Sequence, residues 1–174
     1  MIRKLSHEEI VSRQVSFCCA PRIPLVVILN DIRSLLNVGA IFRVADGVGV
    51  EKIFLCGITG YPPQGGIAKT ALGAEENVPW EYHRDAVSVI NSLKIIGYEI
   101  VALEQAQGAF PFEQYKPKGP TCLLLGNEVE GIADELVNLC DTSIEIKMLG
   151  VKNSLNVAVA FGVAAFTMRE KFGS

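Results

Sequence analysis

Strand-like and helical periodicities take turns along this chain, and that alternation constrains its fold more than any single motif. Leu25, Val26, Val27, Ile28 and Leu29 form an unbroken β-prone apolar run, the pattern of a strand buried on both faces. Over residues 37–48, Val38, Ile41, Phe42, Ala45 and Val48 recur at spacings of three and four, the stripe of an amphipathic helix starting near Asn37 and ended by Gly47 and Gly49. Residues 52–56 are strand-like again, and residues 57–66, with Pro62-Pro63 and Gly65-Gly66, read as a loop without regular structure. Further on, 85–96 reads as a helix closed by Gly97, 99–103 and 121–125 as strands, 134–139 as a short helix, 142–146 as a strand and 155–168 as a helix. The alternation predicts an α/β fold, a mostly parallel sheet with helices on both faces, with ligands at the carboxyl ends of the strands.

A length of 174 residues suits one domain, here 21–174, preceded by an N-terminal helical extension over 1–20. With 49% hydrophobic residues the chain is too apolar for disorder, and part of that excess is expected between subunits. No stretch reaches the ~20 apolar residues of a membrane span. The first residues lack an apolar signal core, so a cytoplasmic protein is expected. Five cysteines, with Cys18 and Cys19 adjacent and no C-x-x-C, argue against a disulfide framework, and His7 and His83 lie far from any of them, so no metal is expected. The net charge of −3 hides an asymmetry: residues 1–43 hold six basic residues against three acidic, and the rest of the chain is acidic.

Three polar clusters follow strands. The first, after Leu29, runs from Asn30 to Arg43; Asn37 reads as a helix N-cap or as a functional amide, and Arg43 as an exposed helix residue or a functional cation. The second is Gly126-Asn127-Glu128-Val129-Glu130-Gly131, a plain acidic turn or a ligand loop in which Gly126 lets the backbone approach a ligand. It is not G-x-G-x-x-G, and its carboxylates disfavour a pyrophosphate while suiting a cationic or hydroxyl-bearing ligand. In the third, Asn153-Ser154 opens an apolar, small-residue helix; either caps it, which leaves Asn156 in the first turn without an explanation.

Taken together, N-V-G-A-I-F-R-V-A-D-G-V-G at 37–49, L-L-L-G-N-E-V-E-G-I at 123–132 and I-K-M-L-G-V-K-N-S-L-N-V-A-V-A at 146–160 resemble, in order and spacing, the three motifs of the SpoU, or TrmH-type, branch of the SPOUT RNA 2′-O-ribose methyltransferases. The resemblance covers about residues 24–170. It implies a C-terminal deep trefoil knot, an exception to the rule that chains do not thread loops, and S-adenosylmethionine as cofactor. It implies a catalytic set of Arg43, Asn37, Glu128, Ser154 and Asn156, and cofactor contacts at Leu103, Gly126, Ile146, Ser154 and Leu155. Arg43 would act as an electrostatic activator of the ribose 2′-hydroxyl, because a guanidinium rarely gives up its proton. RNA would be the substrate, tRNA favoured over rRNA, gripped by Arg3, Lys4, Arg13, Arg22, Arg33 and a second subunit. In that homodimer the Ala158, Gly162 and Ala165 face would meet its own copy. The competing readings are an rRNA 2′-O-methyltransferase, a non-catalytic RNA-binding module of the same fold, and a nucleotide-binding oxidoreductase, against which the missing G-x-G-x-x-G counts.

Overall fold

The computed structural model describes residues 2–17 and 21–172, so Cys18 and Cys19 lie outside the described residues. After helix α1 (His7–Phe17), the elements run β1 (Ile23–Asn30), α2 (Leu35–Val48), β2 (Val50–Cys56), α3 (Gly65–Ala71), α4 (Ala74–Asn77), β3 (Trp80–His83), α5 (Ala86–Ile95), β4 (Glu99–Leu103), β5 (Phe110–Pro111), β6 (Thr121–Leu125), α6 (Asp134–Val137), β7 (Thr142–Glu145) and α7 (Val157–Lys171). Among the described residues seven strands form one sheet in the order β3-β2-β1-β6-β4-β7-β5. Every pairing is parallel. A parallel sheet needs cover on both faces, and the alternate side chains of β1 show it. Leu25, Val27 and Leu29 pack with Ile41 and Phe42 of α2 and Phe161 of α7, while Val26 and Ile28 pack with Val89, Ile90 and Leu93 of α5. No helix among the described residues is long and apolar enough to cross a membrane.

The caps differ from the expectation. Ser34, not Asn37, caps α2, its hydroxyl accepting from Asn37 N at 3.3 Å, so Asn37 lies inside the first turn with a side chain free for other work. Gly49, in the left-handed region at φ 79°, closes the helix, whereas Gly47 lies within it. Residues 65–66, expected in a loop, begin α3, because Ile67 and Ala71 of that short helix are buried against α2 and tertiary packing outweighs the weak local signal. Gly39 permits that packing: a Cβ built there would overlap Ile67 O and Thr70 Oγ1.

Helix α7 corrects the expected self-contact. Ala158 and Ala165 are buried within the protomer, and the Gly162 Cβ position points at Val44 of α2, so the Ala158, Gly162 and Ala165 face packs on its own chain. The exposed stripe is instead Val159, Val163 and Phe166. Arg22 is engaged within the chain too, its guanidinium donating to Val50 O at 2.8 Å and Asn77 O at 2.7 Å, so it clamps β2 to α4 and is not free to grip RNA.

Two helix glycines should respond with opposite signs. Gly39→Ala forces α2 and α3 apart and should cost about 2 kcal/mol, whereas Gly47→Ala, whose Cβ would meet only the Phe166 ring edge at 3.7 Å, should gain about 0.5–1 kcal/mol. Urea denaturation of the two variants measures both.

Candidate active site

Strands β1 and β6 are neighbours, so the segments leaving them meet at the carboxyl rim of the sheet. The meeting is organised by Glu128. Its Oε2 accepts from Arg33 N, and its Oε1 from Ser34 N and from Asn37 Nδ2, each at 3.0 Å. Those donors sit at the start of α2, where unpaired N–H groups and the helix dipole favour a negative charge. Partial burial alone would raise the Glu128 carboxyl, but these hydrogen bonds to its charged form outweigh it and hold the group below the ordinary glutamate range.

The chain of contacts continues through Asn37, whose Oδ1 accepts from Asn156 Nδ2 at 3.0 Å. Asn156 proves to be the N-cap of α7: its Oδ1 accepts from Ala158 N at 3.0 Å and Val159 N at 3.4 Å. Neither Asn153 nor Ser154 caps the helix. Glu128, Asn37 and Asn156 thus join the three polar clusters in one line, each amide using both its donor and its acceptor.

Next to this line lies a cleft of about 290 Å³ at the ends of β4, β6 and β7. Leu103, Gly126, Ile146, Ser154 and Leu155, the five expected cofactor residues, all line it, as does Glu128. Its wall is the turn after β6, closed by reciprocal hydrogen bonds between Asn127 and Gly131 at 3.0 and 2.9 Å. Asn127 fixes the turn from inside, accepting from Val129 N and Glu130 N and donating to Asp31 O at 2.9 Å. Gly126 also has a packing role beside its place on the cleft. A Cβ there would overlap the backbone of Gly131, so this glycine lets the turn fold onto itself; Gly126→Val would disrupt the turn before it filled the cleft.

Sequence reasoning missed Glu104 and Gln105, which directly follow β4. Glu104 Oε2 accepts from Ile132 N at 3.0 Å, holding the far end of the same turn. Gln105 Nε2 donates to Asn153 O and ties the third cluster across the cleft. Their signal was a third strand end with polar residues, the rule already applied to β1 and β6. Arg43 stands apart from this assembly. It is six residues beyond Asn37, about 9 Å along the helix axis, in a second depression with Ala40, Val44, Lys69, Thr70 and Phe166.

A model of the SpoU rRNA Methylase family matches residues 24–166. The chain belongs to this family. It is 34% identical over 136 residues, 78% of its length, to the tRNA (guanosine(18)-2′-O)-methyltransferase of Escherichia coli, of which it spans 58%. Among solved structures it resembles the Aquifex aeolicus TrmH/SpoU tRNA modifying enzyme, with a TM-score of 0.81, 27% identity, and coverage of 94% of this chain and 83% of the other. It also resembles the AdoMet-bound rRNA methyltransferase of Sinorhizobium meliloti, with a TM-score of 0.80, 28% identity, and coverage of 88% and 59%. The α/β fold with its parallel sheet is thus the family's, and the family match spans all three segments that the Glu128 line joins.

Glu128 makes the site's stability depend on pH with a definite sign. A carboxyl whose folded pKa lies below its ordinary value of 4.5 stabilises fully above that value and loses its contribution as the pH falls through the folded pKa. Wild type should therefore exceed Glu128→Gln in stability at pH 7, and the gap should close below about pH 4.5. A gap in urea midpoints that stays constant into acid would contradict the ionised tie.

Proposed function

We propose that this chain transfers a methyl group from S-adenosylmethionine to a ribose 2′-hydroxyl of RNA, with tRNA preferred, in the cytoplasm. The observation that carries the reading is the polar line Glu128, Asn37, Asn156 beside the cleft at the carboxyl rim. Names of relatives support it: the Escherichia coli protein is a tRNA 2′-O-methyltransferase, and the Sinorhizobium meliloti structure holds AdoMet. rRNA is the second reading, favoured by the family's description and by the Sinorhizobium meliloti relative.

The cleft suits the cofactor. Leu103, Ile146 and Leu155 offer apolar surface to an adenine, main chain from 126 to 131 offers hydrogen bonds, and Glu104, Glu128, Glu130 and Glu145 on the lining favour a cationic sulfonium over an anionic ligand. When bound, S-adenosylmethionine supplies an activated methyl, so the protein's task is positioning and removal of one proton. Asn37, held by two partners, and Asn156, held by three, would orient the ribose edge, and exposed Ser154 would add a hydroxyl to the cleft wall. Arg43 would grip the target phosphate with its planar fork and favour the developing alkoxide, while the phosphate or a water takes the proton.

Arg43 and the cleft belong to one site if two copies pair. The exposed stripe Val159, Val163, Phe166 reaches the Arg43 depression at Phe166, and burying it against a second copy would remove apolar surface from water; in such a pair one protomer's Arg43 would serve its partner's cleft. Residues 21–174 then form the methyltransferase domain, with a C-terminal trefoil knot supported by the placement of β6 between β1 and β4 and the return of α7 onto α2. The N-terminal extension, 1–20, would carry Lys4 and Arg13 toward the RNA, whereas the Arg3 guanidinium is paired with the Glu9 carboxylate.

Calorimetry and single-turnover rates separate the roles. Arg43→Ala should bind S-adenosylmethionine with nearly wild-type affinity while methyl transfer falls at least 100-fold, as for a group acting in the transition state. Arg43→Lys should recover little. Heat on titrating NAD in place of S-adenosylmethionine, or a near-normal rate in Arg43→Ala, would contradict the reading.

A further inference from the structure

At the β3 edge of the sheet, away from the cleft, three aromatic rings gather at the surface. Tyr61, in the loop after β2, lies over both Trp80 and Tyr82 of β3, its centroid 6.2 Å from the indole at an interplanar angle of 29° and 4.6 Å from the Tyr82 ring at 40°. Trp80 is half-buried against the core, but Tyr61 and Tyr82 remain 44% and 41% exposed. An edge strand needs no such cover: one tyrosine over Trp80 would shield it, and the second ring leaves aromatic surface in water.

The cluster is rigidly connected to the candidate site. Asp31 Oδ1 accepts from Ile58 N, Thr59 Oγ1 accepts from Ile32 N, each at 3.0 Å, and Leu35 packs against Gly60, where a Cβ would overlap it. These contacts bind the Tyr61 loop to the segment whose Arg33 and Ser34 amides hold Glu128. Tyr82 completes the frame by donating its hydroxyl to Gly57 O at 3.0 Å. Loop, cluster and cleft all stand on the carboxyl rim, and three strand steps from β3 to β6 amount to roughly 14 Å, within reach of a few nucleotides. The neighbouring acid, Glu81, is paired with Lys52 at 2.7 Å and His83 at 3.2 Å, while Arg84, two residues after Tyr82, and Arg33, in the segment that holds Glu128, are exposed.

We propose that Tyr61 and Tyr82 form a stacking platform for an unpaired base of the RNA substrate, a nucleotide flanking the one methylated. This rests on the RNA reading above. Ring faces accept any base, so the platform recognises single-stranded RNA by stacking, with Arg33 and Arg84 available to its phosphates. A flanking base held here fixes the direction in which the strand crosses the rim and hence which ribose reaches the cleft.

Trp80 is the chain's one tryptophan and reports on the platform directly. A single-stranded oligoribonucleotide of mixed sequence should quench its fluorescence in wild type and in Tyr61→Phe, and Tyr61→Leu should bind it roughly 5- to 150-fold more weakly, as expected for the loss of one base stack. In methyl transfer, Tyr61→Leu should raise KM for RNA by a similar factor with kcat and S-adenosylmethionine affinity little changed, and Tyr61→Phe should restore it. Equal oligonucleotide binding by Tyr61→Leu and wild type, or tighter binding of a duplex than of the single strand, would overturn the platform. Absence of methyl transfer in wild type would instead remove the RNA-methylation reading and leave the fluorescence titration to decide the platform.

Discussion

The carboxylate of Glu128 takes up the backbone N–H groups of Arg33 and Ser34 and the amide of Asn37, and the geometry of the site follows from that one group. Without it the start of α2 would keep donors unsatisfied, and the turn after β6 would hold β1's side only through the Asn127 amide on Asp31 O. With it, Asn37 is turned so that its carbonyl meets Asn156, and Asn156 in turn caps α7. Glu104 holds the opposite end of the turn through Ile132 N. The cleft wall is therefore braced from both sides by carboxylates that also make its interior negative, which favours a cationic ligand.

The parallel sheet makes this economy of parts possible. Because every strand points the same way, the loops after β1, β2, β4, β6 and β7 all emerge at one rim, and residues nearly a hundred positions apart, such as Ser34 and Glu128, become hydrogen-bond partners. Close packing beneath the rim depends on absent side chains: Gly39 lets α3 reach α2, and Gly126 lets the turn fold back on Gly131. The motif glycines thus serve the protein's own backbone, which in turn presents main-chain groups to the cleft.

Much of this was legible in the residues. Runs such as Leu25 to Leu29 and the 3.6-residue stripe from Val38 to Val48 locate the central strands and helices, because burial on both faces leaves a strong pattern. The three polar clusters mark strand ends, and all five expected cofactor residues line one cleft. What stayed hidden depended on contacts distant in sequence. Trp80 to His83 is too short and mixed to read as a strand, yet its pairing with β2 makes it one. Asn156 as a cap, Arg22 as a clamp on Val50 and Asn77, and the inward small face of α7 each depend on which neighbour the fold supplies. Arg43's distance from the cleft follows from helix rise, but its depression beside Phe166 follows from how α7 packs on α2.

Ribose methylation is read most directly by incubating the protein with unmodified tRNA, and separately with rRNA, and methyl-labelled S-adenosylmethionine, then digesting part of the product to nucleosides to identify the labelled group and part to oligonucleotides to place it by mass spectrometry. A label confined to a 2′-O-methylated ribose, at one position of the sequence, is the result predicted from the Glu128-braced cleft and its neighbouring amides. A label on a base, or none in tRNA and rRNA alike, would contradict it.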